Sequence, residues 1–84
     1  MPENVIVTIK YKQYDFEKDM ELPANIPISE LLPFILTTLK EIDSKHFMRF
    51  EKIFLLFNGA ELNPNSTLSS EGIWDGSILE LKLY

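Results

Sequence analysis

One stretch of this sequence has the spacing of an amphipathic helix, and that limits the fold more than any other feature. Ile28, Leu31, Leu32, Ile35, Leu39 and Ile42 recur at three- and four-residue intervals, which puts them on one face of a helix. Such a stripe must be buried against something, and the other apolar segments have the two-residue period of strands. In VIVTIKY, Val5, Val7 and Ile9 alternate with Ile6, Thr8 and Lys10, giving a first strand over Val5 to Tyr11. KQYD breaks the pattern. Phe16, Met20 and Leu22 then resume it with Glu17, Asp19 and Glu21 between them. This second strand should pair with the first as a hairpin, with Lys18 on the otherwise apolar face near the open end.

KIFLLF, from Lys52 to Phe57, reads as a third strand, and Asn58-Gly59 as a hairpin turn, since both residue types accept positive φ. Ala60 to Leu62 forms a short return strand. In the last strand, Ser77 to Tyr84, Leu79, Leu81 and Leu83 alternate with Glu80, Lys82 and Tyr84. The order is β-β-α-β-β-β. It predicts an α+β fold, with one helix packed across a mixed five-stranded sheet so that both apolar surfaces are buried.

The boundaries follow from local chemistry. Pro23 ends the second strand because it cannot donate to a ladder. Ser29 is the favoured helix N-cap, which places Pro33 early enough to remove only the first helical hydrogen bond; a start near Pro27 would put Pro33 in the second turn and kink it. DSKHFMRFE reads as a loop or a frayed helical extension. Ile73, inside a turn-rich connection, reads as a plug under the sheet, and Gly76 makes the last turn.

Eighty-four residues, 45% of them hydrophobic, make one domain spanning 1–84, with no repeat, linker or low-complexity segment. The absence of cysteine excludes disulfides, thiolate zinc sites and a cysteine nucleophile. A formal net charge of -5 disfavours nucleic acid and anionic lipid as partners. No signal-peptide pattern opens the chain, and runs such as Ile53 to Phe57 are far too short to span a bilayer. The expectation is a cytoplasmic protein without direct membrane insertion, recruited to the inner face of a membrane by a partner if it works there at all.

Catalysis finds little support. His46 has Asp43, Ser44 and Glu51 nearby in sequence, but three such groups on one loop seldom converge, and a solvated loop is the simpler reading. Glu17, Asp19 and Glu21 share a strand face as the ordinary wet side of a half-buried sheet. NGAELN and EGIWDGS contain glycines without a strand-to-helix phosphate loop. No catalytic, cofactor-binding or metal site is expected, and the protein should not be an enzyme.

The segment FNGAELNPNSTLSSEGIWDGSILELKL resembles the second half of ubiquitin without a gap. Phe57, Gly59, Leu62, Thr67, Leu68, Ser69, Ile73, Ser77, Leu79, Leu81 and Leu83 stand in register. The first half agrees more loosely, and Ser44 to Phe50 has no counterpart. The resemblance implies a ubiquitin-like β-grasp. It also marks departures. Ubiquitin continues past its last strand into a tail ending in two glycines, whereas this sequence stops at Tyr84, so covalent conjugation is not expected. The positions matching ubiquitin's main recognition patch are Leu56, Glu80 and Lys82, of which only Leu56 is apolar. Ala60 and Asp75 stand where ubiquitin has chain-linking lysines. With VIVTIKY as opening strand and IPISELLPFIL as helix, the sequence resembles the YukD/EsaB family, accessory proteins of bacterial type VII (WXG100/Ess) secretion systems. That resemblance implies a non-conjugated adaptor acting by noncovalent protein binding.

The candidate interaction residues follow from strand parity. If Ile53, Leu55 and Phe57 face the helix, Phe54 and Leu56 stand on the open face beside Glu80, Lys82 and Tyr84. Two large apolar residues there suggest a partner surface; the alternative is that the 44–50 segment folds back and covers them. Trp74, beside an inward-pointing Ile73, is either an interface anchor or a cap over its own core. The predicted surface is thus Phe54, Leu56, Trp74, Glu80, Lys82 and Tyr84, and the expected partner is a type VII secretion component. Two other functions compete: a small ubiquitin-like subunit of a multicomponent enzyme such as a diiron monooxygenase, or a ubiquitin-type modifier whose sequence continues beyond Tyr84 into a glycine pair.

Overall fold

The structure is a computed structural model describing residues 4–84. Its first two strands, β1 (Asn4–Tyr11) and β2 (Phe16–Pro23), form an antiparallel hairpin in continuous register from Asn4 opposite Pro23 to Tyr11 opposite Phe16. A 3-10 turn over Lys12–Tyr14 joins them, and Asp15 completes it at φ 51°. The main helix, α1 (Ile28–Ile42), leads into a four-residue helix, α2 (Ser44–Phe47). The chain then returns through β3 (Ile53–Phe57), β4 (Ala60–Glu61) and β5 (Ile78–Leu83).

The sheet order is β2-β1-β5-β3-β4. The last strand therefore lies at the centre, parallel to β1 over Ile78–Glu80 and antiparallel to β3 from Ile53 opposite Leu83 to Leu56 opposite Glu80. This is the mixed five-stranded sheet that the strand and helix periods predict, in the β-grasp arrangement that the resemblance implies. The strand boundaries differ from the expected ones by a residue or so, and α2 supplies the helical form of the segment after α1.

The apolar sets close on one another as their parity requires. Val5, Val7, Ile9, Leu22, Ile28, Ile35, Leu39, Leu55, Leu79 and Ile73 are all essentially inaccessible to solvent, so the inner sheet face and the α1 stripe share one core. Ile73 is the plug its position suggests. Among the described residues no polar or charged side chain is buried, so the core carries no desolvated charge.

Two expectations need correction. The helix begins at Ile28, with Pro27 in the capping position and no side-chain cap, so Ser29 is not its N-cap. The free amides find distant partners instead: Ile28 N–H donates to the Ser66 carbonyl at 2.8 Å and Ser29 N–H to the Pro64 carbonyl at 2.9 Å. With its first turn bonded from outside, the helix needs no serine cap. Pro33 consequently lies inside α1, where the bond it cannot donate leaves the Ser29 carbonyl without its helical partner. Lys18 is also misplaced by the sequence reading. It sits opposite Ile9, toward the turn end of the hairpin, and stays exposed because β2 is an edge strand from which a long side chain reaches water.

Candidate functional site: the open sheet face

The face of the sheet turned away from α1 is built by the alternate residues of each strand. Lys10 pairs with Glu80, Glu80 with Leu56 and Leu56 with Glu61, so one row crosses β1, β5, β3 and β4. Lys82 pairs with Phe54 in the next row. Beyond the ladder, Tyr84 is tied back to β3's approach: its N–H donates to the Lys52 carbonyl at 3.0 Å, and its own carbonyl accepts from Glu51 at 2.9 Å and Lys52 at 3.2 Å. The Tyr84 ring meets Phe54 edge-on, with centroids 5.7 Å apart.

The result is a small apolar island with a charged rim. Phe54 and Leu56 are half-buried and Tyr84 is exposed. Lys82 Nζ lies 5.7 Å from the Tyr84 ring centroid, and hydrogen bonding to Tyr84, reinforced by charge attraction to it, pushes the lysine pKa up from its ordinary value. Lys12 reaches Glu80 at 3.8 Å. A shallow groove of about 370 Å³ opens between Lys10, Lys12, Lys82 and Tyr84, where β1 has turned away and β5 runs on. An apolar centre inside a polar rim is the usual anatomy of a protein-binding patch.

Five of the six predicted residues, Phe54, Leu56, Glu80, Lys82 and Tyr84, share this face. Trp74 does not join them. It precedes the turn into β5, at the opposite end of the strand from Tyr84 and about 20 Å away by strand rise. Its amide donates to Ser77 Oγ at 3.0 Å and its side chain is 55% exposed, so the ring does not cap the core. Near it, the Asp75 carboxylate accepts the Ile6 amide at 2.8 Å, and Ile6 and Ile78 are also exposed. The sequence reading set Ile6 on the outward face but took neither isoleucine as a candidate, although each has the same parity as the polar residues of its strand.

The 44–50 segment does not fold over the open face. Phe47 and Phe50 turn into the core, where Phe47 meets Phe16 at 5.0 Å and Tyr11 at 6.3 Å and Phe50 meets Tyr11 at 6.4 Å between ring centroids. His46 is engaged structurally. Its Nδ1 lies 2.7 Å from Asp43 Oδ2, its amide donates to the other carboxylate oxygen at 3.3 Å, and its ring sits 4.6 Å from that of Tyr14. Asp43 thus caps α2 and clips His46 in place. Among the described residues, no three His, Cys, Asp or Glu side chains gather as a metal site, and no helix is long and apolar enough to cross a membrane.

Residues 4–81 match the family model described as "WXG100 protein secretion system (Wss), protein YukD". The chain belongs to the YukD family. Solved structures similar to this YukD-family chain include two ubiquitin-like domains and part of a membrane complex. The EccD5 ubiquitin-like domain from Mycobacterium xenopi superposes with TM-score 0.79 at 26% identity, covering 99% of this chain and 97% of that one. The ubiquitin-like domain of the Mycobacterium tuberculosis type VII secretion protein EccD1 gives TM-score 0.76 at 23% identity, with 96% and 98% covered. A chain of the MycP5-free ESX-5 inner membrane complex gives TM-score 0.82 at 19% identity; 99% of the YukD-family chain matches 21% of that longer one. Among curated proteins, none matches by sequence. The fold is ubiquitin-like, and the family is one associated with type VII secretion.

Proposed function

We propose that this protein is a non-conjugating, non-enzymatic adaptor that binds a component of a type VII secretion machine through its open sheet face. The observation that carries the reading is the Phe54–Leu56–Tyr84 island, an apolar surface that neither helix covers and that Lys10, Glu61, Glu80 and Lys82 surround. Membership of the YukD family supplies the secretion context, and the matching fifth of a chain in an inner membrane complex offers a precedent for the fold at a membrane. On this reading the protein works in the cytoplasm and meets the inner face of the membrane only through its partner.

The test compares tagged wild type with Leu56→Asp by affinity purification from the native cells, membranes gently solubilised, followed by mass spectrometry. Wild type alone should recover a secretion-system subunit. Because Leu56 is half-buried rather than core, the variant should retain the far-UV circular dichroism spectrum and cooperative unfolding of the wild type. Equal recovery by both proteins would remove the open face from the proposal, and loss of folding in the variant would show Leu56 to be a core position.

A further inference from the structure

The outer edge of β2 has no partner strand among the described residues, because β2 ends the sheet order. Hydrogen-bond parity shows which of its groups are free. The Ile6 carbonyl accepts from Gly76 N–H and the Thr8 N–H donates to the Ser77 carbonyl, each at 2.9 Å, so these β1 residues face β5. Antiparallel alternation then turns Val5, Val7 and Ile9 toward β2, where they stand opposite Leu22, Met20 and Lys18. The N–H and C=O groups of Glu17, Asp19 and Glu21 must therefore point outward. Natural edges are commonly shortened, bulged or covered; this one keeps an unbroken register over eight residues.

Beneath the same edge, on the helix side, lies an apolar groove of about 370 Å³ between the end of β2 and the first half of α1. Pro23, Ile26, Leu31 and Phe34 line it, with Glu21 and Glu30 at its margins. Phe34 is 53% exposed and Ile26 38%. Large apolar side chains beside unpaired backbone form the two halves of a strand-addition site, the backbone giving affinity and the pockets selecting alternate side chains.

Charge and period select the guest. In an added strand, every second side chain stands beside Glu17, Asp19 and Glu21, and the others stand over the groove. Asp19 accepts from Thr8 Oγ1 and Glu21 from Asn4 Nδ2, both at 2.8 Å, so these carboxylates are held over the sheet face next to the edge. A second copy of this chain is disfavoured, since edge-to-edge pairing would set carboxylates against carboxylates. We propose that the β2 edge and the Pro23–Ile26–Phe34 groove bind an extended basic segment of a partner protein, with Lys or Arg at alternate positions beside the three carboxylates and apolar side chains between them. Lys18, on the helix side nearer the turn, marks where the guest's apolar face ends. This site shares no residue with the open-face island and stands whether or not that face binds.

The experiment titrates the 15N-labelled full chain with the capped heptapeptide KVKIKVK, alongside EVEIEVE and KSKSKSK. The expected result is saturable movement of the Glu17, Asp19, Glu21, Ile26 and Phe34 amide resonances by KVKIKVK alone, slower hydrogen exchange at the three edge amides, and binding that weakens with salt. Phe34→Ser and Glu17→Lys, both at exposed positions, should each weaken binding about fivefold or more with the unfolding midpoint nearly unchanged. The proposal is overturned by equal binding of either control peptide, by shifts confined to Phe54, Leu56 and Tyr84, or by no saturable shift at millimolar peptide.

Discussion

Tyr11 closes the end of the core farthest from the hairpin mouth. Its ring lies against those of Tyr14, Phe47 and Phe50, and its hydroxyl donates to Gln13 Oε1 at 2.7 Å. Burial, and then the neighbouring Tyr14, push its pKa up from the ordinary tyrosine value, against a smaller lowering by Arg49. A hydroxyl that ionises less readily in the folded than in the unfolded state contributes stability that is fully present below the unfolded pKa, about 10, and is lost as pH rises through the higher folded pKa. Urea unfolding should therefore show a constant Tyr11 contribution up to about pH 9 and a decline beyond pH 10. Tyr11→Phe should flatten that decline; a decline of equal steepness in the variant would assign it to other groups. Phe47 sits behind Tyr11 and is fully buried. Phe47→Ala should cost about 3–5 kcal/mol in denaturant unfolding, a cost that a mere surface loop would not carry.

The turn between β3 and β4 shows how an element can depend on backbone conformation alone. Asn58 and Gly59 have φ of 53° and 81°, the pair of positive values that a two-residue hairpin turn demands. A Cβ added at Gly59 would meet nothing within 4 Å. Gly59→Ala should thus lose roughly 1–2 kcal/mol of stability through left-handed strain, and Gly59→Asn distinctly less; equal losses would point to a steric cause instead. This turn was legible from two adjacent letters, as were the strands, whose parity also set Phe54 and Leu56 on the open face. The start of α1 was not legible. Its first amides bond to carbonyls of Pro64 and Ser66, far along the chain, so Ser29 offered a local cap that the tertiary structure makes unnecessary. Phe47 and Phe50 were unreadable for a similar reason: no period marks a short segment that inserts single rings into a core. For the proposed interaction surface, parity placed five of six residues together but gave no measure of the distance along β5 that separates Trp74 from them. It also set Ile6 on the outward face without pairing it with Ile78, because each was read as one member of a strand and not as a neighbour across β1 and β5.

At the scale of the whole molecule, the last strand is the keystone of the sheet. Among the described residues β5 is the only strand that joins the β1–β2 hairpin to the β3–β4 hairpin, and it contributes Leu79 and Leu81 to the core. Removing residues 78–84 should abolish the cooperative unfolding transition; a truncated protein that still unfolds cooperatively would show that α1 alone can hold the two hairpins together. The same arrangement sets the order of events during synthesis. While the ribosome is still making the middle of the chain, β1 and β3 each have an unsatisfied inner edge, and α1 has only half a surface to cover. Local hairpins and helix can form as they emerge, but the domain can close only after Leu83 has left the exit tunnel. The growing polypeptide must therefore stay unaggregated, by its own acidity or with the help of a chaperone, until the whole of β5 has emerged.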